Sequence, residues 1–172
     1  WLSKKHSSSY ISWVWACFLA LFTHPLLDIC TTYGTRILYP LTKSYYSLNN
    51  VFVVDLGYTL PLLIAVIALW VMKNNNSKRS KIINISLLLS TGYLVWGLIV
   101  REIVYHKFET VLQEKNIAYE KMTVAPTTFN TFLWQAVIKT KEGFYLSDYS
   151  IFDKQMNKKF YFVKSENQLL PE

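Results

Sequence analysis

The sequence predicts an α-helical integral membrane protein with about three transmembrane helices. A small C-terminal α+β region containing a short antiparallel sheet is expected to follow outside the membrane. Three observations lead there. Charged residues make up only 17% of the 172-residue chain against 52% apolar, with a mean hydropathy of +0.18; a soluble domain carries about 25% charge. The apolar residues are concentrated in three stretches. Beyond Pro126 the pattern changes to β-forming residues punctuated by turns.

The first stretch runs from Ser7 to Leu27 with no charge apart from His24, and the third from Ile82 to Val100 with none. A helix needs about 20 residues to cross the hydrocarbon core of a bilayer, and both meet that length. The second, Tyr58 to Met72, is shorter and contains Pro61; it spans only if Asp55 lies at a membrane surface. Buried helices of a soluble bundle are the competing reading. Such helices usually keep a polar stripe at period 3.6. Between Ile85 and Val100 the only relief is Ser86, Ser90, Thr91 and glycine, which makes no solvated face. A signal peptide fits the first stretch poorly, because it ends in His24-Pro25-Leu26-Leu27-Asp28 without a small-residue cleavage pattern.

Charge sets the expected orientation. Lys4 and Lys5 precede the first stretch, and Lys73, Lys78, Arg79 and Lys81 lie between the second and third, with no acid among them. With three crossings these regions share a side, and the positive-inside rule makes that side cytoplasmic. The 34–57 loop and the tail from Arg101 are then expected to be extracytoplasmic. This divides the chain into a transmembrane region, 1–100, and an extracytoplasmic helix plus sheet, 101–172. The net charge of +7 is therefore a topology signal, and no nucleic-acid partner is expected, since that would need a clustered basic face. The expected partner is the lipid bilayer.

In the tail, Arg101 to Ala118 reads as a charged helix leaving the membrane, with apolar residues at spacings of three and four. Strands are expected over 132–138, 144–149 and 159–164, with a turn at Lys141-Glu142-Gly143. The tail aromatics are expected to be mainly core, with contact to lipid headgroups as the alternative, since three strands need one buried face. Cys17 and Cys30 would stand roughly 20 Å apart along one helix. That is too far for a disulfide, and buried thiols are expected.

The sharpest local feature is T-H-P-L-L-D-I-C-T-T-Y-G-T, from Thr23 to Thr35. On a helix His24 and Asp28, four apart, share a face. An imidazole and a carboxylate so placed can share a divalent metal, or Asp28 can orient His24 as a general base. A plain polar pair at the membrane interface is the bland alternative. Pro25 is expected to kink the helix or start a new turn, and Tyr33-Gly34 to end it. Two ligands are too few for catalytic zinc, which takes three plus water. Asp55, expected on the same side, is the candidate third. His6 falls on the opposite side, and His106 is expected to be solvated. Asn130 reads as a turn residue. No nucleophile elbow, P-loop or dinucleotide fingerprint is present.

T-H-P-L-L-D-I-C-T-T-Y-G-T-R-I-L-Y-P-L resembles the signature of the bacterial YdjM-like membrane-bound metal-dependent hydrolases. Val53-Val54-Asp55-Leu56-Gly57-Tyr58-Thr59-Leu60-Pro61-Leu62-Leu63 resembles that family's second block. P-T-T-F-N-T-F-L-W and Y-L-S-D-Y-S-I-F-D are similar to the blocks that follow in its longer members, so the resemblance covers about residues 8–153. It implies a bacterial inner-membrane protein with a divalent metal, zinc before others, held by His24 and Asp28. It also implies P-D-L-D-like and H-R-G-x-T-H-S-like segments upstream of Trp1, so this chain is expected to be part of a longer protein and to hold only part of its metal site. The implied activity is hydrolysis by a metal-activated water. A lipid-linked or envelope substrate, with phosphoester bonds, is the expectation for a site at a membrane surface. The rival from another class is a non-enzymatic membrane scaffold in which His24 and Asp28 form a structural pair.

Overall fold

The computed structural model describes residues 9–73, 76–153 and 160–164. The expectations involving Lys4, Lys5, His6 and Lys159 lie outside the described residues. Three helices come first: α1 (Tyr10–Cys30), α2 (Leu56–Val71) and α3 (Lys78–Glu114). Four strands follow: β1 (Lys121–Pro126), β2 (Leu133–Lys139), β3 (Gly143–Ser150) and β4 (Tyr161–Lys164).

α1 and α3 are long and apolar enough to cross a membrane; α2, at 16 residues, is a shorter apolar helix. Among the described residues, two helices rather than three therefore meet the spanning length. α1 buries none of its residues within the described chain, and from Tyr10 to Phe22 its exposed side chains are mostly apolar, as on a helix in lipid. Pro25 does not end it; the helix continues to Cys30.

α2 and α3 form an antiparallel hairpin. At its open end the Tyr58 carbonyl accepts from Ser90 Oγ at 3.0 Å. At its closed end Arg79 donates to the carbonyls of Leu69 and Met72 at 2.7 and 2.9 Å. These carbonyls lie at the end of α2, which lacks donors within the helix and carries its negative dipole end, so a guanidinium satisfies both needs. Ser86 and Ser90, which read from sequence as mere relief in an apolar run, are buried in the structure. Small residues let two helix backbones approach closely where lipid offers no hydrophobic drive.

α3 runs on as a single 37-residue helix, and its C-terminal half carries the sheet. Val100, Val104, Phe108 and Leu112 recur every four residues on one face and are buried against Met122, Val124, Trp134, Ala136, Ile138 and Tyr149. The sheet is an antiparallel meander in the order β1-β2-β3-β4. In β2 the strict alternation puts Trp134, Ala136 and Ile138 on α3. The sequence expectation of three strands is corrected to four: β1 precedes the turn at 127–131, in a segment that carries no strand signal of its own. The helix ends at Glu114, short of the expected Ala118, and Ile117 donates back to the Leu112 carbonyl at 3.0 Å. Cys17 and Cys30 are free thiols, Cys17 exposed on α1 rather than buried.

Candidate functional site

The C-terminal end of α1 is tied into the molecule by the segment that follows it. Leu48 donates to the Ile29 carbonyl at 2.6 Å, and Asn50 and Val51 donate to the Cys30 carbonyl at 3.1 and 3.3 Å. These bonds supply donors to the exposed carbonyls of a helix C terminus. Ser47 Oγ adds a bond to the Thr31 carbonyl. The turn depends on Gly34, which is not the helix cap expected from sequence: Thr31 is the C-cap. Gly34 sits beyond it at φ +70°, where a Cβ would stand 2.9 Å from the Tyr46 carbonyl oxygen. A residue with a side chain would be strained there and would also collide.

Asn50 links this end to α3. It is fully buried, its Nδ2 donates to the Leu94 carbonyl at 3.0 Å, and its own carbonyl lies over Gly97. The His24–Asp28 end of α1, the start of α2 and the middle of α3 are thereby connected through one short segment.

His24 Nε2 and Asp28 Oδ2 are 3.6 Å apart, with side chains 77% and 43% exposed. Their spacing of four on α1 brings them together as the sequence predicts. Neither side chain makes another polar contact among the described residues. The hydroxyls nearby are committed to helix carbonyls, Thr23 to Leu19 at 2.8 Å and Thr31 to Asp28 at 2.8 Å.

Asp55 has a different setting. It is 1% exposed and N-caps α2, its Oδ1 accepting from the Gly57 amide at 2.9 Å. The Tyr93 hydroxyl of α3 lies beside its carboxylate and accepts from Thr131 Oγ1 at 2.9 Å. Sequence reading names Asp55 but misses what surrounds it, the half-buried Tyr93 and the buried Thr131; the only available signal is polar residues flanking apolar runs. His106 is solvated as expected, lying 3.3 Å from both Glu102 and Glu109 on the open face of α3.

The donor chemistry of His24 and Asp28 suits a divalent metal. Two ligands each about 2.0–2.1 Å from a tetrahedral ion stand about 3.3 Å apart, so the observed 3.6 Å needs only a small side-chain adjustment. The count falls short. Among the described residues no group of three or more His, Cys, Asp or Glu side chains is placed to hold one ion, and Asp55 does not join the pair in such a group. The pair fits as part of a metal site. A cleft of about 440 Å³ lined by Asn116, Tyr119, Thr140 and Tyr145 lies at the far end of the sheet and contains neither residue.

Residues 1–104 match the family described as YdjM inner membrane protein. The chain belongs to that family. The match spans α1, α2 and α3 as far as residue 104 and includes His24, Asp28 and Asp55. Membership makes this a protein of the inner membrane, in contact with the lipid bilayer, as the sequence reading expects. Comparison with curated proteins and with solved structures finds no match for the chain.

Proposed function

We propose that this YdjM-family protein is a metal-dependent hydrolase of the bacterial inner membrane, and that His24 and Asp28 supply two ligands of its divalent ion, zinc before others. The observation that carries the reading is the pair itself. An imidazole and a carboxylate stand 3.6 Å apart, exposed, with no other polar partner among the described residues. A merely structural ionic pair at that exposure would contribute little, about 0–1 kcal/mol. When bound, such an ion lowers the pKa of its water and polarises the scissile bond. The chain's own contribution is to hold the imidazole and carboxylate on one helix face. The Ile29 and Cys30 carbonyls, bonded by Leu48, Asn50 and Val51, keep that end of α1 in place. Asp55 belongs to the support of α2 in this reading, as a cap. Further ligands come from outside the described residues. A lipid-linked or envelope phosphoester suits a site at a membrane surface.

The proposed orientation puts the 73–81 loop in the cytoplasm and the sheet outside, on the strength of Lys73, Lys78, Arg79 and Lys81. Reporter fusions at residue 76 and at the carboxyl end test it; a cytoplasmic carboxyl end would overturn it.

A second reading is favoured by the lack of a third ligand among the described residues: a non-enzymatic membrane scaffold with a structural His–Asp pair. Elemental analysis of the full-length protein in detergent, beside its His24→Ala/Asp28→Ala variant, separates the two. Near-stoichiometric metal that disappears in the variant is the expected result. Metal-free protein, folded in both forms, would sink the hydrolase reading in favour of the scaffold.

A further inference from the structure

The lower rim of the sheet carries apolar side chains that the core does not use. β2 and β3 pack Trp134, Ala136 and Tyr149 onto α3. The connections below them, 127–132 and 151–153, expose Phe129, Phe132 and Phe152 instead, at 52%, 44% and 75%. Phe132 and Phe152 stack with centroids 5.7 Å apart, and Phe129 meets Phe52 edge-on at 6.1 Å. Higher up β2 and β3 polar side chains join the outward face beside the half-buried Val137, Phe144 and Leu146: Gln135 donates to Asp148 at 3.2 Å, and Lys139 pairs with Glu120 at 2.9 Å. The exposed residues of β4 pair with Gly143 to Leu146, at the opposite end, and are not part of this rim.

The rim is built to hold its rings outward. Asn130 Oδ1 accepts from the amides of both Phe132 and Leu133 at 2.9 Å, and its Nδ2 donates to the Thr128 carbonyl at 3.0 Å. Phe129 sits at φ +67°, a conformation uncommon for any residue other than glycine, yet its ring has no place in the core. Side-chain burial therefore does not account for it.

The rim's height is set by the helices. The Leu56 amide points to the Phe129 carbonyl at 3.5 Å, and Thr131 bonds Tyr93. Leu56 begins α2, and the hairpin's other end is the basic segment from Lys73 to Lys81. The 16 residues of α2 span about 24 Å. A hairpin with its basic end at one headgroup layer thus brings Leu56, and Phe129 beside it, to the opposite interface. Aromatic residues are enriched at that level, where a ring can rest against lipid.

We propose that Phe129, Phe132 and Phe152 form a lipid-contacting rim that seats the sheet on the bilayer surface. The proposal rests on the α2–α3 hairpin crossing the membrane, as the proposed orientation requires, and is independent of the metal reading. It gives the sheet a fixed height above the membrane.

The test uses the full chain in phosphatidylcholine–phosphatidylglycerol vesicles. With Cys17→Ser/Cys30→Ser as background, nitroxide labels are placed by Phe152→Cys, Gln135→Cys and Leu88→Cys. Collision with oxygen and with a water-soluble nickel chelate is read at each site. The label at 88, exposed on α3, is expected deep in the bilayer and that at 135 in water. The label at 152 is expected at an oxygen-to-nickel ratio several-fold above that at 135. A ratio at 152 equal to that at 135, with 88 deep, overturns the lipid rim. Low collision with both reagents at 152 overturns it in favour of a protein partner or second copy. An aqueous label at 88 removes the membrane-spanning hairpin and the rim with it. The unsubstituted chain gives a second readout: a phospholipid bearing a photoactivatable group near its headgroup is expected to modify peptides 127–133 and 150–153. Modification confined to the helices overturns the proposal.

Discussion

Replacing Gly97 with alanine should loosen the joint between α1 and α3. A Cβ at Gly97 would lie 2.5 Å from the Asn50 carbonyl oxygen, 3.3 Å from its carbonyl carbon and 3.5 Å from Val51 Cγ1. The first contact must open past 3.0 Å, the separation below which real Cβ atoms essentially never come. The obstacle is backbone, and it is pinned on two sides, by the Asn50 amide on Cys30 and by Asn50 Nδ2 on Leu94. Overpacking of this kind costs about 1–3 kcal/mol. Stretching the bond to Leu94 adds about 1 kcal/mol. Alanine returns about 1 kcal/mol through its better helix propensity. The net expectation is a loss of about 2 kcal/mol. Gly92 lies on the same helix with nothing within 4 Å of its Cβ position, so Gly92→Ala keeps only the propensity gain. The two variants should differ by about 3 kcal/mol. Unfolding in mixed micelles with increasing dodecyl sulfate, followed by far-ultraviolet circular dichroism, reads the difference. Equal stability of the two variants would refute the close approach of Asn50 to α3.

Asp55→Ala should cost about 1 kcal/mol through loss of the α2 cap, whereas Asp55→Asn keeps an acceptor for the Gly57 amide and should stay near wild type in the same titration. If both lose equally, the carboxylate's charge and not its capping bond is what matters. Trp134 is fully buried and donates its indole N–H to the Thr131 carbonyl at 2.8 Å; Trp134→Ala should cost about 3–5 kcal/mol and abolish near-ultraviolet dichroism of the sheet, which an unchanged spectrum would contradict. Asn130→Ala removes an acceptor shared by two amides and should cost about 2 kcal/mol. Asn130→Asp, which retains the acceptor, should recover most of it in thermal unfolding, and no recovery would count against the turn's wiring.

Local pattern reaches far in this molecule. The apolar lengths locate the helices to within a few residues, because a helix in lipid needs only a run of apolar side chains with its backbone bonds satisfied internally. β2 and β3 are legible because alternating residues mark a half-buried strand. β1 is not, because Lys121 to Pro126 is short and ends in proline, and its identity depends on pairing with β2. Within the candidate site, His24 and Asp28 are legible from their spacing alone, since a helix places residues four apart side by side. Asp55 is different. Its sequence neighbourhood marks it as polar beside an apolar run, and its role as a buried cap facing Tyr93 depends on where α3 lies.

The sequence by itself thus determined the membrane class, the extents of the three helices, the one-faced pairing of His24 with Asp28 and the alternating strands, all set by interactions within a few residues of chain. The tertiary structure alone decided which polar groups are buried together. Asn50 reaches Leu94 across 44 residues and Thr131 reaches Tyr93 across 38. Contacts so distant depend on how the chain folds back on itself, which leaves no periodicity in the sequence. The same folding sorts the aromatics, placing Trp134 and Tyr149 against α3 and Phe129 and Phe152 at the rim, because burial is a property of the assembled neighbours and not of the residue type.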